Sequence, residues 1–271
     1  MRSSQVFLVA LVSGLLTGNV AGARAGTPPD SLPSPPRATG VGAGLVATPG
    51  PSLFTRGDLW FGLASAGLVI AVAPQDRWLT DETLEAHSSG ERDLARIART
   101  MGNGGIVFPS LAGAWAIARL THRPAGASAV TRVGVSVLAA GACSAALKEV
   151  VGRARPTHSL EDSDELQPFS GHDSFPSGHT TVAFALATAL DRETGARWVP
   201  WVVYPAAALC GWSRVHDRRH WTSDTIAGAA IGFGTASKTD RWLQNRSSRT
   251  PGVGLSLEPS GGAELVLTLR R

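Results

Sequence analysis

Charge, cysteine and lysine are scarce in this sequence. Charged residues make up 17% of its 271 residues, compared with roughly 25% in an average soluble protein. Hydrophobic residues account for 43%. This shortage of charge favours an unusually apolar soluble protein or a membrane protein, and the length favours a single domain with one core.

The scarcity of lysine and cysteine narrows the candidate functions. Lys148 and Lys238 are the only lysines, so arginine supplies nearly all of the positive charge behind the net charge of +4. A basic protein favours anionic partners such as phosphates or acidic lipids. Since the sequence has no basic stripe with interleaved aromatic residues and no nucleic-acid-binding motif, we expect no nucleic-acid partner. Cys143 and Cys210 lie inside apolar runs, where buried thiols are usual, and whether they pair stays open.

The N-terminus has the pattern of an export signal. Arg2 precedes an apolar stretch at 6–16, and Ala-Arg-Ala at 23–25 provides a cleavage site. We therefore predict a signal peptide over residues 1–25, with an uncleaved anchor helix as the alternative. Residues 26–57 are rich in proline, glycine and serine and are predicted to form a flexible linker. The protein is expected in the periplasm or the cell envelope.

Six uncharged runs rich in alanine, leucine, valine and glycine dominate the rest of the chain. Each run is too long for an ordinary strand, so buried helices fit best. The runs cover residues 59–75, 100–118, 133–147, 174–190, 198–213 and 225–237. Between the first two, Leu94, Ile97 and Met101 fall on one face of a predicted amphipathic helix, and Thr80 is predicted to start a helix. We predict an all-α bundle of about six core helices within residues 58–245.

Residues 246–271 are predicted to form a separate C-terminal tail. Apolar and polar residues alternate on both sides of Pro259-Ser260-Gly261-Gly262, which is typical of a β-hairpin. We expect this tail to be a terminal addition without a role in the chemistry.

The apolar runs leave membrane insertion open. They contain 13 to 19 residues, whereas a spanning helix needs about 20 and a core helix often has 10–14. Tryptophans near the run ends suit both an interfacial belt and a soluble bundle. An exported N-terminus followed by six crossings would place the loops after the third and fifth runs in the cytoplasm. Because those loops carry the chemistry described next, we favour a periplasmic domain resting on the membrane, with an integral membrane protein as the alternative.

Three short motifs place cations, histidines and a carboxylate at the ends of the predicted helices. They read Lys148-x6-Arg155-Pro156, Pro176-Ser177-Gly178-His179 and Ser213-Arg214-x5-His220-x3-Asp224. Each motif alone has an ordinary explanation, such as a helix cap or a surface pair. Their joint occurrence, in order and at helix ends, is very rarely a coincidence of composition.

The cations of these motifs suit a phosphoryl group. They are Lys148, Arg155 and Arg214. Cations beside a dry core need an anion, and the planar fork of arginine matches phosphoryl oxygens. Ser177 is a candidate N-cap and Gly178 lets a ligand approach the backbone, so the N–H groups at the helix start add to phosphate binding. His179 is then held beside the bound anion.

His220 and Asp224 form a candidate nucleophile and its orienting group. Four residues apart, they share one face of a helix. A carboxylate that accepts from one ring nitrogen fixes the tautomer and leaves the other nitrogen able to attack. With His179 as proton donor, the set is complete for a metal-free phosphoryl transfer. Trp221, next to the nucleophile, is expected either to line the substrate entrance or to pack in the core.

The three motifs resemble those of the PAP2 superfamily, which includes type 2 phosphatidic acid phosphatases, bacterial class A acid phosphatases and vanadium haloperoxidases. The family pattern K-x6-R-P, P-S-G-H and S-R-x5-H-x3-D is complete here, and the resemblance covers roughly residues 59–237. It implies an α-helical bundle with the site at helix ends. By this resemblance His220 would become a phosphohistidine, Asp224 would orient it and His179 would protonate the leaving alcohol. The phosphate-binding residues that it implies are Lys148, Arg155, Ser177, Gly178 and Arg214.

The sequence thus predicts a cell-envelope phosphatase acting on a lipid phosphate such as phosphatidic acid, or on an isoprenoid diphosphate. No metal or other cofactor is expected, although vanadate can act as an inhibitor or prosthetic group in such a site. Three alternatives stay open: a broad-specificity periplasmic acid phosphatase, a vanadate-dependent haloperoxidase and a non-catalytic envelope protein that binds phospholipid. The expected partners are a phosphorylated lipid or small phosphomonoester and a membrane surface or bilayer, and the oligomeric state is left undetermined.

Overall fold

The computed structural model describes residues 52–82, 88–158, 163–247, 252–257 and 263–268. The predicted signal peptide and most of the predicted linker lie outside these ranges, and so does the turn of the predicted hairpin. Their assignments stay predictions. The first helix already begins at Arg56, at the end of the predicted linker.

The described residues form eight α-helices. They are α1 (Arg56–Val72), α2 (Asp76–Glu82), α3 (Ser89–Ala98), α4 (Gly104–Leu120), α5 (Pro124–Val151), α6 (Gly178–Thr194), α7 (Pro200–His216) and α8 (Thr222–Ser247). Short 3-10 helices at Ala73–Gln75 and Arg99–Gly102 lead into α2 and towards α4. The six long helices coincide with the six apolar runs, so the predicted helical bundle is confirmed.

The C-terminal tail contributes two strands, β1 (Gly252–Leu257) and β2 (Ala263–Thr268). They pair antiparallel, with Gly252 opposite Thr268 and Leu257 opposite Ala263. The strands lie on either side of the Pro-Ser-Gly-Gly segment, where the alternating pattern predicts them.

Helix α6 is the centre of the bundle. Ten of its residues between Thr180 and Leu190 are buried, and the helix packs against α5, α7 and α8. The approach of α8 is especially close, because a Cβ added at Gly232 would lie 2.3 Å from the carbonyl oxygen of Thr181. A Cβ at Gly228 would lie 2.7 Å from that of Ser177. These glycines let the backbones of α6 and α8 run side by side.

Four helix ends meet at one end of the bundle. The main-chain N–H of Ser177, just before α6, donates to the carbonyl oxygen of Asp224 in the first turn of α8, at 3.0 Å. The N–H of His220 donates to the carbonyl of Arg214 near the end of α7, at 3.3 Å. Gly178 faces Lys148 near the end of α5. The three sequence motifs therefore lie on neighbouring helix ends.

Helix α1 lies on the outside of the bundle. None of its residues is buried, and the exposed fractions of Trp60 and Ile70 are 69% and 72%. Its start is held by Asp58, whose carboxylate pairs with Lys238 and, at 2.7 Å, with Arg241 of α8. Further along, α1 and α8 line an open apolar pocket of about 410 Å³ together with α6 and α7. By length and composition, the span Arg56–Glu82 and helix α5 are each able to cross a membrane.

Two local predictions between α1 and α4 need correction. Thr80 does not start a helix, because α2 begins at Asp76 and the Thr80 hydroxyl bonds back to the Asp76 carbonyl at 2.8 Å. The amphipathic helix is present as α3, but its predicted apolar face is only partly packed. Met101 is buried, whereas Leu94 and Ile97 are exposed, because α3 meets α7 through the face that carries the buried Ala95.

Candidate active site

A glycine ends α5 and turns the chain towards the site. Gly152 adopts the left-handed conformation with φ of 56°, which only glycine enters without a steric penalty. A Cβ at this position would lie 1.8 Å from the carbonyl oxygen of Gln167. The Gly152 carbonyl also accepts the N–H of Gln167 at 2.8 Å. This turn sends Lys148, in the last turn of α5, and Arg155, just beyond it, to the same end of the bundle.

Lys148 and Arg155 share a contact with Asp173. The Lys148 ammonium donates to the main-chain carbonyl of Asp173, and Nη2 of Arg155 donates to its carboxylate at 2.7 Å. The buried Nε of Arg155 has no hydrogen-bond partner among the described residues. The Asp173 carboxylate is half exposed, so it can move aside when another anion competes for these cations.

The second motif forms the start of α6. Ser177 occupies the predicted N-cap position but makes no capping hydrogen bond, because its hydroxyl instead accepts from Thr180 at 2.9 Å. Gly178 follows, and a Cβ there would lie 3.7 Å from Cε of Lys148. His179 is half-buried in the first helical turn. Burial and the positive charges of Arg214 and nearby groups lower the pKa of His179 to about 4.

Arg214 brings a third cation to the site from α7. Its side chain is 7% exposed, and Nη1 lies 3.2 Å from the carboxylate of Asp217. Arg99 approaches the same carboxylate at 3.6 Å. The buried Nε of Arg214 has no partner within the described ranges. Arg155 and Arg214 thus both retain a buried N–H group that an anionic ligand can satisfy.

His220 is held by a main-chain carbonyl. Its side chain is 4% exposed, and Nδ1 lies 2.7 Å from the carbonyl oxygen of Ser174. Because a carbonyl only accepts, Nδ1 carries the proton and Nε2 of the neutral ring has a lone pair. Asp224, the predicted acceptor, lies 3.8 Å from Nδ1, which is an ion-pair distance and too long for a hydrogen bond. Burial lowers the pKa of His220, which favours the neutral ring.

Asp224 lies behind His220 and is completely buried. Its Oδ2 accepts the Ser174 hydroxyl at 2.6 Å and the Trp221 main-chain N–H at 3.0 Å. Its Oδ1 accepts from Arg153 at 2.7 Å. Burial opposes ionisation, but the neighbouring His220 and Arg153 hold the pKa of Asp224 below its ordinary value. A fixed negative charge therefore lies beside the imidazole.

The predicted site residues gather in one place. The charges of Lys148 and Arg155 both act on His220, while Arg214, His220 and Lys148 act on His179. Two histidines therefore face one group of cations at the end of the bundle. Among the residues that the structure describes, no group of three or more His, Cys, Asp or Glu side chains is placed to hold a metal ion. Cys143 and Cys210 are not paired, and Cys210 is buried as expected, whereas Cys143 is exposed.

Sequence reasoning missed several residues that surround the site. They are Asp76, Arg153, Asp173, Ser174 and Ser223. Arg153 stands inside the first motif but at a position that the pattern leaves open, and Asp76 lies far away in the chain. Trp221 packs in the core rather than at an entrance, since it is fully buried and its ring N–H donates to the Ala154 carbonyl at 2.9 Å.

This arrangement of motifs and helices has known counterparts. Residues 129–248 match the family model of the PAP2 superfamily. This segment is therefore similar to PAP2 domains. It contains all three motifs and helices α6 to α8, together with most of α5.

Curated relatives that match part of this chain include lipid phosphatases. A lipid A 1-phosphatase of Porphyromonas gingivalis is 40% identical over 81 residues, covering 29% of this chain and 18% of the relative. A lipid A 1-phosphatase of Rhizobium etli is 37% identical over 101 residues, covering 36% of this chain and 43% of the relative. The chain thus spans less than half the length of these relatives.

A solved structure shares the fold beyond the matched domain. It is described as a transmembrane PAP2 type phosphatidylglycerolphosphate phosphatase from Bacillus subtilis. The two structures superpose with a TM-score of 0.54 at 17% sequence identity, over 69% of this chain and 96% of the other. The arrangement of helices is therefore that of a PAP2 protein.

Proposed function

We propose that this protein is a phosphatase that hydrolyses the phosphomonoester of a membrane lipid through a phosphohistidine at His220. The observation that carries the proposal is the orientation of His220. Its Nδ1 is held by the Ser174 carbonyl, so the unprotonated Nε2 is the nitrogen left for chemistry. The cations that act on this ring, Lys148 and Arg155, provide binding groups for a phosphoryl dianion.

In the first step, the Nε2 lone pair of His220 attacks phosphorus, and the bond from phosphorus to the ester oxygen breaks. His179 donates its proton to that oxygen, which leaves as an alcohol. Burial and the nearby cations lower the pKa of His179 to about 4. A bound phosphate dianion raises it, because a nearby negative charge stabilises the protonated ring. Substrate binding thus supplies the protonated acid that the step needs.

In the second step, water attacks the phosphohistidine and the bond from phosphorus to Nε2 breaks. His179, now neutral, accepts a proton from the water, and the products are inorganic phosphate and free enzyme. Asp224 stabilises the cationic ring of the intermediate through its buried negative charge. Lys148, Arg155 and Arg214 neutralise the phosphoryl oxygens in both steps. The proposed reaction uses no metal ion.

The surface of the helices supports a lipid substrate. Helix α1 has no buried residue although it is apolar, and a helix that is hydrophobic on every face belongs in lipid or in a core. The large exposed side chains of α1 include Leu59, Trp60, Leu63 and Ile70. The relatives named above act on lipid A according to their names. We therefore place the protein in the membrane of the cell envelope.

A His220→Ala variant tests the chemistry. Purified protein in detergent is assayed for phosphate release from phosphatidic acid, lipid A and p-nitrophenyl phosphate. We expect the variant to lose at least about a thousandfold in kcat on every substrate that the wild type cleaves. His158→Ala is the matched control, because His158 is exposed near Arg155, and it should stay within about twofold of wild type.

Several outcomes would overturn parts of the proposal. Undiminished turnover by His220→Ala would rule out His220 as the nucleophile. Loss of activity with EDTA that added metal restores would rule out the metal-free reaction. If p-nitrophenyl phosphate were cleaved with a higher kcat/KM than either lipid, the lipid assignment would be wrong and a broad-specificity phosphatase would replace it.

A further inference from the structure

A line of buried charges extends from the site to a distant part of the chain. Asp224, behind His220, accepts from Nη1 of Arg153 at 2.7 Å. Nη2 of the same guanidinium donates to Asp76 at 2.9 Å. The side-chain exposures of Arg153 and the two carboxylates are 6%, 0% and 0%. One arginine thus bridges two carboxylates in the interior, and only one of them adjoins the nucleophile.

Every N–H group of the Arg153 guanidinium is used within the protein. Besides the two carboxylates, Nη1 donates to the Ser223 hydroxyl at 2.7 Å. Nε and Nη2 both donate to the Ser163 carbonyl, at 2.9 and 2.6 Å. These contacts account for all five donors of an arginine. Arg153 therefore has none left for substrate, in contrast to Arg155 and Arg214, each of which has a buried Nε without a partner among the described residues.

Asp76 fixes the orientation of this arginine. Its Oδ1 accepts the main-chain N–H of Ser223 at 2.8 Å, and its Oδ2 accepts from the Ser223 hydroxyl and from Arg153. Ser223 is the residue before Asp224 in the first turn of α8. The carboxylate thus holds both the backbone next to Asp224 and the guanidinium that pairs with it. On its other side, the guanidinium lies over the Trp221 ring, 5.5 Å from its centre.

We propose that Asp76 and Arg153 are positioning residues, which set the place and the effective charge of Asp224 behind the nucleophile His220. This inference rests on the proposed function. Burial raises the pKa of Asp76, while the hydrogen bonds from Ser223 and Arg153 favour its ionised form. The ionised carboxylate offsets part of the Arg153 charge, so that Asp224 keeps enough negative potential to stabilise a cationic phosphohistidine. Asp76 lies outside residues 129–248, which match the PAP2 family, so the role follows from this chain's own contacts.

An Asp76→Asn variant is the direct test. Asparagine keeps the size of the side chain and one acceptor oxygen for the Ser223 N–H but removes the charge. We expect kcat to fall about 10- to 100-fold, while KM and the inhibition constant of inorganic phosphate stay within about threefold. We expect kcat to fall without a matching change in KM because Lys148, Arg155 and Arg214 still bind the phosphoryl group.

Glu193→Gln is the matched control for loss of a partly buried ion pair. Glu193 bonds Arg132 between α5 and α6 at 2.6 Å, near the opposite end of α6 from His179. Its variant should keep wild-type kcat. For each protein, the fraction of active enzyme is measured by trapping the phosphoenzyme with radiolabelled substrate, so a loss of folded protein is not counted as a loss of rate.

Arg153→Lys is a second variant, which keeps the test decisive if Asp76→Asn folds poorly. Arg153→Lys retains the positive charge but cannot bridge both carboxylates as the planar fork does. We expect a lower kcat with little change in KM, and we expect the double variant to lose little more than the worse single variant. Multiplicative losses in the double variant would contradict a shared action through Asp224.

The outcomes separate this inference from the proposed function. If His220→Ala abolishes turnover but Asp76→Asn and Arg153→Lys keep wild-type kcat, the positioning role is wrong and the phosphatase mechanism stands. If the two variants raise KM with kcat unchanged, they act on binding and the inference also fails. If His220→Ala retained turnover, His220 would not be the nucleophile. Asp224 would then have no nucleophile to support, and both proposals would fail.

Discussion

The two histidines of the site differ in their surroundings. His220 is almost completely buried, with Nδ1 fixed by a carbonyl, whereas His179 is half-buried and faces several cations. A buried neutral ring with one nitrogen fixed is suited to attack. A ring whose protonation depends on a bound anion is suited to deliver a proton only when substrate is present. Environment, rather than residue type, separates the two proposed roles.

The lowered pKa of His179 predicts how stability depends on pH. The pKa is 6.5 in an ordinary environment and about 4 in the folded protein. Between these values the unfolded chain binds more protons than the folded protein. The contribution of His179 to the free energy of unfolding is therefore greatest above about pH 6.5 and decreases as the pH drops towards 4. The thermal midpoint in detergent should decrease by several degrees across this window.

His179→Gln tests the source of that pH dependence. The variant removes the ionisable ring, so its thermal midpoint should change less between pH 7.5 and pH 4.5 than that of the wild type. Part of the dependence remains, because burial also lowers the pKa of His220. His122→Gln, an exposed position at the far end of α4, serves as the control. An unchanged slope in His179→Gln would show that another group causes the loss of stability.

At the scale of elements, the end of α5 decides where two of the cations lie. Gly152 has φ of 56° and contacts the backbone of Gln167, so the helix stops there and the chain turns back. A long helix continued past this residue would carry Arg153 and Arg155 away from α6 and α8. The turn thus converts spacing along the sequence into proximity at the site.

Gly152→Ala should disrupt this turn. The left-handed conformation costs a residue with a Cβ about 1–2 kcal/mol, and the contact of 1.8 Å with the Gln167 carbonyl forces the backbone to shift. We expect a loss of more than about 2 kcal/mol in the free energy of unfolding, together with a large loss of turnover. Denaturant unfolding followed by circular dichroism measures the first quantity.

Gly141→Ala in the same helix is the matched control. Apart from the nearby backbone of its own helix, no atom lies within 4 Å of a Cβ added at Gly141. Alanine favours a helix over glycine by up to about 1 kcal/mol. The control should therefore be as stable as the wild type or more stable. If both substitutions changed the free energy of unfolding equally, the left-handed turn at Gly152 would not be what makes that position sensitive.

Two carboxylates, Asp58 in α1 and Asp76 at the start of α2, hold this part of the chain against α8. Asp58 pairs with Arg241 of α8 at 2.7 Å, and Asp76 binds the Ser223 N–H at 2.8 Å. Between them the contact is apolar, with the ring centroids of Phe61 and Phe233 5.2 Å apart beside the open apolar pocket. These polar contacts therefore position α1, an apolar helix without buried residues.

At the scale of the whole molecule, the exposed apolar surface predicts insertion into lipid. A charged maleimide that does not cross membranes tests this in vesicles made permeable to the reagent. All variants carry Cys143→Ser, because the exposed Cys143 would itself react with the maleimide. Leu63→Cys in α1 should stay unlabelled until the membrane is dissolved in sodium dodecyl sulfate. Arg96→Cys, on the exposed side of α3, should label at once.

The labelling pattern distinguishes the two membrane hypotheses. A protein that rests on the membrane surface would expose Leu63→Cys to the reagent as fast as Arg96→Cys, and insertion of α1 would then be wrong. Protection of Leu63→Cys alone supports a spanning α1. The periplasmic location and the signal peptide stay predictions, since residues 1–25 lie outside the described ranges.

The sequence determined the helices and the reactive residues. Runs of apolar residues without charge specify helices wherever they are too long for strands, and the spacing of the three motifs placed Lys148, His179 and Asp224 near helix ends. Both properties are local, because periodicity and spacing depend only on neighbours along the chain. The helices, and the positions of the three motifs near their ends, were predictable for that reason.

Only the tertiary structure decided how those residues interact. It assigned Nδ1 of His220 to the Ser174 carbonyl, 46 residues away, and joined Asp76 to Arg153 across 77 residues. It also left α1 without buried residues, although α1 is more apolar than the central helix α6. A main-chain carbonyl can come from any residue, and burial depends on which helices become neighbours. Neither property leaves a pattern in the sequence.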